Sequence, residues 1–353
     1  MAPQSSPVRS WLLVLVAAVT ASFAFDRLAL PSPVLFGSLA AGMLHALTAR
    51  QELEMPPVAF RVGQGLVGAV IGALVQPSTL VRIAADWPSV LLVTLGTLLI
   101  SVAAGRLLAL HPDVSPVTGA FALVAGGASG IVALAHELGA DDRVVTVVQY
   151  LRVLLVLLAM PIALQVLFDP GGAGAGTSPG PATRWLPDLT FVVLAVGAGL
   201  LLQRLVTAPA TALLGPLAVA VVLSASGVLG DVSVPTALEN LGYALIGVRV
   251  GLRFTRASLR SIARLLPLAC GLIVAVIVAC GLLGLLLTRF TGVDPLTAYL
   301  ATTPGGLFAV LATAADSGAD VTYVLAVQFI RVVVMLVMAP LLGRVLRRRR
   351  GGR

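Results

Sequence analysis

Long apolar runs separated by short connectors are the feature that most constrains the fold of this chain. Of its 353 residues, 58% are hydrophobic and only 11% are charged, and the mean hydropathy is +1.04. Soluble globular domains carry roughly 25% charged residues, so this composition lies outside the soluble range. A helix needs about 20 apolar residues to cross a bilayer. The sequence therefore predicts an all-α polytopic membrane protein whose small residues let helices pack closely.

The basic residues carry a topology signal. The formal net charge is +8, all 23 basic residues are arginines, and most of them lie in the connectors. The sequence does not alternate aromatic with basic residues, has no ligands at zinc-finger spacing and has no helix-turn-helix pattern. No nucleic-acid partner is therefore predicted. Membrane proteins concentrate arginine in their cytoplasmic connectors. The arginines are therefore interpreted as markers of the cytoplasmic side.

The sequence repeats itself at an offset of 179 residues. The matched pairs include Gly68 with Gly247, Gly72 with Gly251, Pro116 with Pro295, Gln149 with Gln328 and Arg152 with Arg331. This duplication predicts two membrane repeats, residues 1–167 and 188–346, a Gly/Pro/Ser-rich linker at 168–187 and a basic tail at 347–353. The N-terminus resembles a signal peptide, but the matching segment in the second copy favours its retention.

Each copy contains six apolar segments. In the first copy they cover residues 11–25, 33–48, 58–75, 87–110, 117–137 and 144–168. In the second copy they cover residues 188–203, 205–223, 237–252, 264–288, 297–315 and 321–343. Several are shorter than the roughly 20 residues of a straight span, which predicts that some are tilted or broken.

The fifth segment of each copy is interrupted by glycines. Gly126 and Gly127 interrupt it in the first copy, and Gly305 and Gly306 follow a proline in the second. A glycine inside a helix costs about 1 kcal/mol relative to alanine. Irregular backbone survives at membrane depth only where protein or a watery cavity satisfies it. This segment is therefore either a re-entrant hairpin or a helix that is broken within the membrane.

Arginine placement favours the hairpin. The tail at 347–353 and the connector at 253–264 are both rich in arginine and are predicted to be cytoplasmic. The tail and the connector both lie in the cytoplasm only if the fifth segment of the second copy returns to the side of the membrane from which it entered. The prediction is about ten transmembrane helices plus two re-entrant hairpins in a bacterial inner (plasma) membrane, with both termini cytoplasmic. Five crossings per copy make the two repeats inverted, as in transporters. A broken helix that crosses remains the alternative.

Two glutamine–arginine pairs are the main candidates for chemistry. Gln149 and Arg152 are three residues apart, as are Gln328 and Arg331, so each pair shares one helix face. An arginine within the membrane costs about 2.5–3.5 kcal/mol on insertion scales and needs a partner or a ligand. One interpretation is an anion site between the two hairpins, and the other is internal pairing with nearby acids.

The predicted substrate-binding residues follow from the first interpretation. They are Gly126, Gly127, Ser129, Gln149, Arg152, Thr303, Gly305, Gly306, Gln328 and Arg331. The acids have two interpretations, as coupling or pairing groups or, for the residues that precede a helix, as N-caps. These acids are Glu137, Asp141, Asp316 and Asp320. The three histidines lie on separate segments, so no metal site, cofactor or enzymatic activity is predicted.

The chain resembles the AbrB family of bacterial integral membrane proteins, which carry a duplicated hydrophobic domain. The resemblance covers nearly the whole chain and is carried by residues 126–129, 137–141 and 149–153 in the first copy and by 303–306, 318–320 and 328–331 in the second. Ala125 stands where the family pattern favours proline. The resemblance implies a membrane location, and family members are labelled regulators of aidB expression or ammonia monooxygenases. An oxygenase would need a His/carboxylate metal cluster, which the sequence lacks.

The sequence thus predicts a secondary transporter of a small, anionic metabolite. The resemblance adds a distant similarity to inverted-repeat transporters and an alternative function, a membrane-embedded regulator that acts indirectly on gene expression. The short connectors leave no room for an output domain, which favours transport. The predicted partners are the lipid bilayer and a small-molecule solute, and a homo-oligomer is compatible with both functions.

Overall fold

The computed structural model describes most of the chain between residues 7 and 348. The residues outside this description are 1–6, 29, 31, 50–52, 76–77, 79–80, 82–86, 125–138, 169–184, 206–210, 231, 257–259, 261 and 349–353. Regular secondary structure in the described part is entirely helical. Most of the predicted linker lies outside the described residues, although a helix already begins at Trp185, within the predicted linker.

The described helices follow the predicted segments. They are α1 (Pro7–Arg27), α2 (Pro33–Thr48), α3 (Pro57–Ala73), α4 (Trp87–Leu108), α5 (Pro116–Leu123), α6 (Asp142–Leu167), α7 (Trp185–Leu205), α8 (Thr211–Ser226), α9 (Thr236–Gly251), α10 (Leu266–Thr291), α11 (Pro295–Thr302), α12 (Leu307–Asp316) and α13 (Val321–Arg348). Each predicted fifth segment begins with an eight-residue helix, α5 or α11.

Local sequence sets several helix boundaries. Proline opens α2, α3, α5 and α11, where its missing N–H would have no partner in the helix anyway. The Ser115 hydroxyl and the Asp294 carboxylate accept N–H groups of the first turns of α5 and α11. Gly292 ends α10 with a φ of 65°, a conformation that glycine adopts at no steric cost.

Five of these helices are long and apolar enough to cross a membrane. They lie in α1, α4, α6, α7 and α10. The most hydrophobic is Leu266–Thr291, with a mean hydropathy of 2.9 over its best window, yet only 28% of that window is buried. An apolar surface that the protein does not cover is suited to lipid. The chain is therefore a multi-pass helical membrane protein, and further shorter apolar helices accompany these spans.

The chain forms two compact units, and each unit takes segments from both predicted copies. Unit 1 comprises Met1–Val75, Pro170–Arg256 and Ala315–Gly318. Unit 2 comprises Gln76–Asp169, Ala257–Ala314 and Ala319–Arg353. The units are a different division of the chain from the two repeats, which remain a prediction.

In unit 1, α3 packs against α8 through glycines. A Cβ at Gly68 would lie 2.5 Å from the backbone oxygen of Leu213, and one at Gly72 would lie 2.7 Å from that of Leu217. Later residues of α3 therefore contact later residues of α8, so the two helices run in the same direction. Only glycine permits such a close approach of two backbones.

The pairing of α9 with α2 has the same form. Gly247 of α9 contacts the backbone oxygen of Leu35, and a Cβ at Gly251 would lie 2.7 Å from the backbone nitrogen of Met43. These helices also run in the same direction. At the far end of the pair, the Arg256 side chain donates to the backbone oxygen of Leu47.

In unit 2, α10 packs against α4, α6 and α11, and α5 packs against α4 and α6. One apolar cluster joins α4, α5, α6 and α10 and includes Leu108, Val148 and Ile273, which are all fully buried. A Cβ at Gly105 of α4 would lie 2.6 Å from the backbone oxygen of Gly119 in α5. One at Gly284 of α10 would lie 2.9 Å from that of Ala298 in α11. Both short helices are thus held at backbone distance by a longer one.

Candidate functional site

The candidate site is built around the ends of the short helices α5 and α11. Each of them is followed by extended backbone, with ψ 127° at Val124 and ψ 126° at Thr303. A helix end leaves its last four carbonyl groups without intrahelical partners, and water does not reach them here because Val124 and Thr303 are each only 1% exposed. Other groups of the protein must therefore supply donors at these two positions.

In the first copy, α6 supplies these donors. Gln149 donates its side-chain N–H groups to the backbone oxygens of Phe121, at 2.7 Å, and Val124, at 2.8 Å. Arg152 donates from Nη1 to the oxygen of Leu123 at 3.1 Å and from Nη2 to the Gln149 side-chain oxygen at 2.9 Å. A positive charge at a helix C-terminus also interacts favourably with the helix dipole.

In the second copy, α13 makes equivalent hydrogen bonds. Gln328 donates to the backbone oxygens of Leu300, at 3.0 Å, and Thr303, at 3.1 Å. Arg331 donates from Nη1 to the oxygen of Thr303 at 2.9 Å and from Nη2 to the Gln328 side-chain oxygen. Each of these side chains lies 179 residues after its counterpart in the first copy, as the numbering of Gln149 and Gln328 shows.

Hydrogen bonds at the opposite ends of the short helices fix their direction. The hydroxyl of Thr118 in α5 accepts from the backbone N–H of Asp141 at 3.0 Å. The hydroxyl of Thr297 in α11 accepts from that of Asp320, also at 3.0 Å. Since Asp141 and Asp320 immediately precede α6 and α13, each short helix begins beside the start of the long helix whose side chains bind its end. The short and long helices of each pair therefore run in the same direction.

The two arginines bring positive charge into the interior of unit 2. Only 2% of Arg152 and 3% of Arg331 are exposed. The Nε–H group of each is buried and has no hydrogen-bond partner among the described residues. The two guanidinium groups are close enough to repel each other, and the fully buried Cys280 lies close to both. Within the part of the chain that the structure describes, both arginines donate only to neutral groups.

The interruption between α11 and α12 lies against the helix that carries Arg152. A Cβ at Gly305 would lie 2.8 Å from the side chain of Val156, and one at Gly306 would lie 3.5 Å from that of Val153. Of the predicted binding residues, the structure therefore brings together those that it describes in unit 2: Gln149, Arg152, Thr303, Gly305, Gly306, Gln328 and Arg331. Gly126, Gly127 and Ser129 lie outside the described residues.

Thr303 contributes differently from what its residue type suggests. Its hydroxyl donates to the backbone oxygen of Tyr299 at 2.7 Å, a bond within its own turn. Its backbone oxygen, in contrast, accepts from both Gln328 and Arg331. Gln328 and Arg331 therefore contact the backbone of Thr303 and not its hydroxyl.

The described acids among the predicted site residues do not bind the two arginines. Asp141 accepts the backbone N–H groups of Arg143, at 2.9 Å, and Val144, at 3.3 Å, and Asp320 accepts that of Tyr323 at 3.0 Å. Both act as helix N-caps, which was one of their two interpretations. Glu137 lies outside the described residues. The carbonyl and glutamine oxygens, and not Asp141 or Asp320, are thus the described hydrogen-bond partners of the arginines.

Two other features of the described residues were not expected from sequence. Thr118 and Thr297 hold the starts of the short helices, and their match at offset 179 was a signal that could have identified them. The Asp316 carboxylate accepts a hydrogen bond from Ser32 in unit 1, which no sequence pattern indicated. In the part of the chain that the structure describes, no group of three or more His, Cys, Asp or Glu residues is arranged to hold a metal ion.

Comparison with known proteins places these features in a family. Residues 34–347 match the family described as "Transition state regulatory protein AbrB". The chain is 34% identical over 343 residues to the Escherichia coli (strain K12) protein named "Putative regulator AbrB", covering 96% of this chain and 97% of that protein. It is 27% identical over 298 residues to "Uncharacterized protein YhjN" of Bacillus subtilis (strain 168), covering 81% and 78% of the two chains. The chain belongs to the AbrB family.

Proposed function

We propose that this protein is a secondary transporter of a small anionic solute and that the anion binds between Arg152 and Arg331. The observation that carries the proposal is the pair of buried guanidinium groups, which lie close together and bond only to neutral groups. Each has an Nε–H donor that no described group uses. Two adjacent positive charges with free donors form a site that suits a carboxylate or a similar anion.

Energetics support a ligand at this position. Removing a charge from water is costly, and carbonyl hydrogen bonds offset that cost only in part. The C-terminal ends of α5 and α11 contribute partial negative charge near Arg152 and Arg331, which offsets part of the cost of burying two arginines that have no acidic partner among the described residues. They do not remove the repulsion between the two arginines. An anion between the guanidinium groups would relieve that repulsion and use both Nε–H donors.

We further propose that the interrupted fifth segments are re-entrant hairpins. The support comes from α11, which begins beside the start of α13 and ends beside Gln328 and Arg331. The chain must then return from this interior position to the start of α13. Helix α12 has ten residues, which span about 15 Å at 1.5 Å per residue, and it leads back to Asp316, four residues before Asp320.

The parallel packing of α2 and α9 supports a hairpin in the first copy as well. Between these two helices lie the long spans α4, α6 and α7, the shorter apolar helices α3 and α8, which we propose also cross, and the fifth segment. With five crossings between them, α2 and α9 run in the same direction, as their contacts require. A sixth crossing by the fifth segment would make them antiparallel. The odd number of membrane crossings between α2 and α9 thus favours a fifth segment that returns to the side from which it entered.

The inverted arrangement of the two copies is supported by exchanged partners. The third helix of the first copy, α3, packs against the second helix of the second copy, α8. The third helix of the second copy, α9, packs reciprocally against α2. The matched glycines Gly68 and Gly247 make close backbone contacts in both pairs. Inverted repeats that surround a central site formed by interrupted helices are an architecture of secondary transporters.

The proposal can be tested with purified protein in detergent and in liposomes. The thermal unfolding midpoint is measured with small monocarboxylates, small dicarboxylates and inorganic phosphate, with choline chloride at equal ionic strength as the reference. The anion that stabilises the protein is then followed as a radiolabelled solute in liposome uptake. We expect Arg152→Gln and Arg331→Gln to remain folded and to lose both the stabilisation and the uptake.

Arg289→Gln is the matched control, because this arginine lies exposed at the end of α10. It should retain anion stabilisation and uptake at the level of the unchanged protein. If Arg152→Gln and Arg331→Gln fold and still respond to the anion, the binding site is elsewhere. If both fail to fold, Arg152→Lys and Arg331→Lys decide the outcome, because lysine keeps the charge but lacks the Nε–H donor. A weaker anion response than that of the unchanged protein supports the site, and an unchanged response shows that the anion does not bind these guanidinium groups and rejects it.

A membrane-embedded regulator is the second candidate function, since the Escherichia coli relative carries the name of a regulator. The liposome experiment separates the two functions because it contains no other protein. Uptake of the stabilising anion by liposomes that contain only this chain would support transport. Binding of an anion without any flux would favour a sensor.

A further inference from the structure

Four polar side chains from distant parts of the sequence converge in unit 1. Ser32 precedes α2, Glu239 and Tyr243 lie one turn apart in α9, and Asp316 is the last residue of α12. All four belong to the segments that form unit 1. The Ser32 hydroxyl donates to the Asp316 carboxylate at 2.5 Å. The Glu239 and Asp316 carboxylates are close enough to repel each other, and the Tyr243 hydroxyl lies near both.

The cluster contains a buried group that is available to a ligand. Only 1% of Ser32 and 3% of Tyr243 are exposed. The Tyr243 hydroxyl is directed at the Glu239 carboxylate and lies near that of Asp316, but it makes no hydrogen bond of normal geometry with any described residue. A buried hydroxyl oxygen that remains unsatisfied costs free energy. Such an oxygen beside two carboxylates is positioned to complete the coordination of a cation.

No basic side chain of the described part of unit 1 neutralises this cluster. On α1, Arg27 stacks over the ring of Phe23 at 4.6 Å. On α9, Arg249 lies over the ring of Phe60 at 5.7 Å, ten residues beyond Glu239 and therefore about 15 Å farther along the helix.

The other described basic groups on the neighbouring elements lie away from Glu239. Arg61 of α3 donates to the backbone oxygen of Pro57, close to Gly63, which meets Leu245 in the second half of α9. Arg253 lies 14 residues beyond Glu239.

His45 belongs to the last turn of α2, and Arg256 donates to the backbone oxygen of Leu47 there. Among the described residues of unit 1, the two carboxylates therefore face each other and the Tyr243 hydroxyl without a positively charged partner. Asp316 is exposed, so a cation from solution can reach the pair and relieve the repulsion.

We propose that Ser32, Glu239, Tyr243 and Asp316 form a binding site for a monovalent cation, either a proton or a sodium ion. Carboxylate and hydroxyl oxygens are hard ligands that suit a hard cation. Calcium takes about six to eight oxygens, more than these four side chains offer when one Asp316 oxygen already accepts from Ser32. The ion neutralises the repulsion between the carboxylates. Its role as the coupling ion rests on the proposed transport function, whereas the binding itself does not.

Thermal unfolding of the purified full-length chain tests the binding without any transported anion. Sodium chloride replaces choline chloride at constant ionic strength, and the series is repeated at several pH values. For a sodium site, we expect sodium to raise the unfolding midpoint, and more so at high pH, because protons compete for the carboxylates. For a proton site, we expect the midpoint to rise as pH falls with no effect of sodium. The half-saturating cation concentration should increase about tenfold or more in Asp316→Asn, the loss expected for one charged ligand.

Glu239→Gln and Tyr243→Phe are the second and third variants, and Asp113→Asn is the matched control. Asp113 is a well-exposed carboxylate in the connector after α4, so its variant should respond as the unchanged protein does. If Asp316→Asn does not fold, the other two variants decide the outcome. Responses to sodium and pH that are equal in all variants and the control would overturn the cation site, as would stabilisation by calcium alone.

Liposome uptake then separates this inference from the proposed function. If Glu239→Gln loses both cation binding and the uptake driven by a sodium or pH gradient, while anion exchange down its own gradient persists, the cation couples transport and the anion site is independent. If Glu239→Gln retains uptake driven by a sodium or pH gradient, the coupling role is rejected although the transport function stands.

Discussion

Unit 1 and unit 2 bury their helices by different means. In unit 1, the pairs α2 with α9 and α3 with α8 are continuous helices, and glycines such as Gly68 and Gly247 bring their backbones into contact. In unit 2, the short helices α5 and α11 end in the interior. Gln149, Arg152 and their counterparts Gln328 and Arg331 donate hydrogen bonds to the carbonyl groups that lack partners within these helices. A continuous helix satisfies its own backbone, so shape alone can hold it. An interrupted helix needs polar side chains, and those side chains bring charge into the interior.

Valine at the matched glycines should have the largest effect. In Gly68→Val the new Cβ would lie 2.5 Å from the backbone oxygen of Leu213, and in Gly247→Val it would meet that of Leu35. A backbone obstacle cannot rotate away, so we expect a loss of about 3 kcal/mol or more and a much reduced yield of monodisperse protein in size-exclusion chromatography.

Gly271→Val is the control for this comparison, because no atom lies within 4 Å of a Cβ at that position in α10. It should keep the yield and the unfolding midpoint of the unchanged protein. Equal behaviour of all three variants would show that close backbone contact does not hold unit 1 together.

Removal of a glutamine that caps a short helix should have the next largest effect. Gln149→Ala leaves the carbonyls of Phe121 and Val124 and one N–H of Arg152 without their partner. We expect a loss of about 2–3 kcal/mol, measured as a lower thermal unfolding midpoint, because buried polar groups would lose their hydrogen bonds.

Gln165→Ala is the control, since this glutamine lies exposed on the same helix. Its effect should stay within about 0.5 kcal/mol. A Gln149→Ala variant that is as stable as Gln165→Ala would mean that polar capping is unimportant in unit 2.

Removal of an N-cap should cost less. Asp320→Ala removes the carboxylate that accepts the backbone N–H of Tyr323 at the start of α13, and we expect a loss of about 1 kcal/mol. Asp320→Asn keeps a good cap and should be nearly neutral. Alanine removes both the cap and the charge of Asp320, whereas asparagine removes only the charge. An equal loss of thermal stability in both variants would therefore show that the charge of Asp320, and not its capping, stabilises the protein.

The smallest effect is expected at the start of α11. Thr297→Val keeps the shape of the side chain but removes the oxygen that accepts the backbone N–H of Asp320. We expect a loss of about 0.5–1 kcal/mol in thermal unfolding. Thr288→Val, whose hydroxyl bonds only within α10, should show a smaller change, and the reverse order would contradict the proposed anchoring of the short helix.

Much of the site could be predicted from sequence because it depends on local periodicity. The spacing of Gln149 and Arg152 on one helix face, and its repetition at Gln328 and Arg331, marked the polar faces of two apolar helices. The glycines of the fifth segments indicated an interruption, which the structure describes in the second copy at Thr303–Gly306. The partners of the arginines could not be predicted, because backbone carbonyl groups occur at every residue and leave no mark on the sequence.

The sequence by itself determined the membrane class, the polar helix faces and the positions where small residues allow close approach, since these follow from composition and helical periodicity. Tertiary structure alone decided which helices meet. It paired α2 with α9 and α3 with α8 in unit 1, brought Ser32 to Asp316 across 284 residues, and placed the start of α11 beside the start of α13. The physical reason is that close packing and hydrogen bonding depend on position in space, whereas periodicity specifies only which face of a helix is available for them.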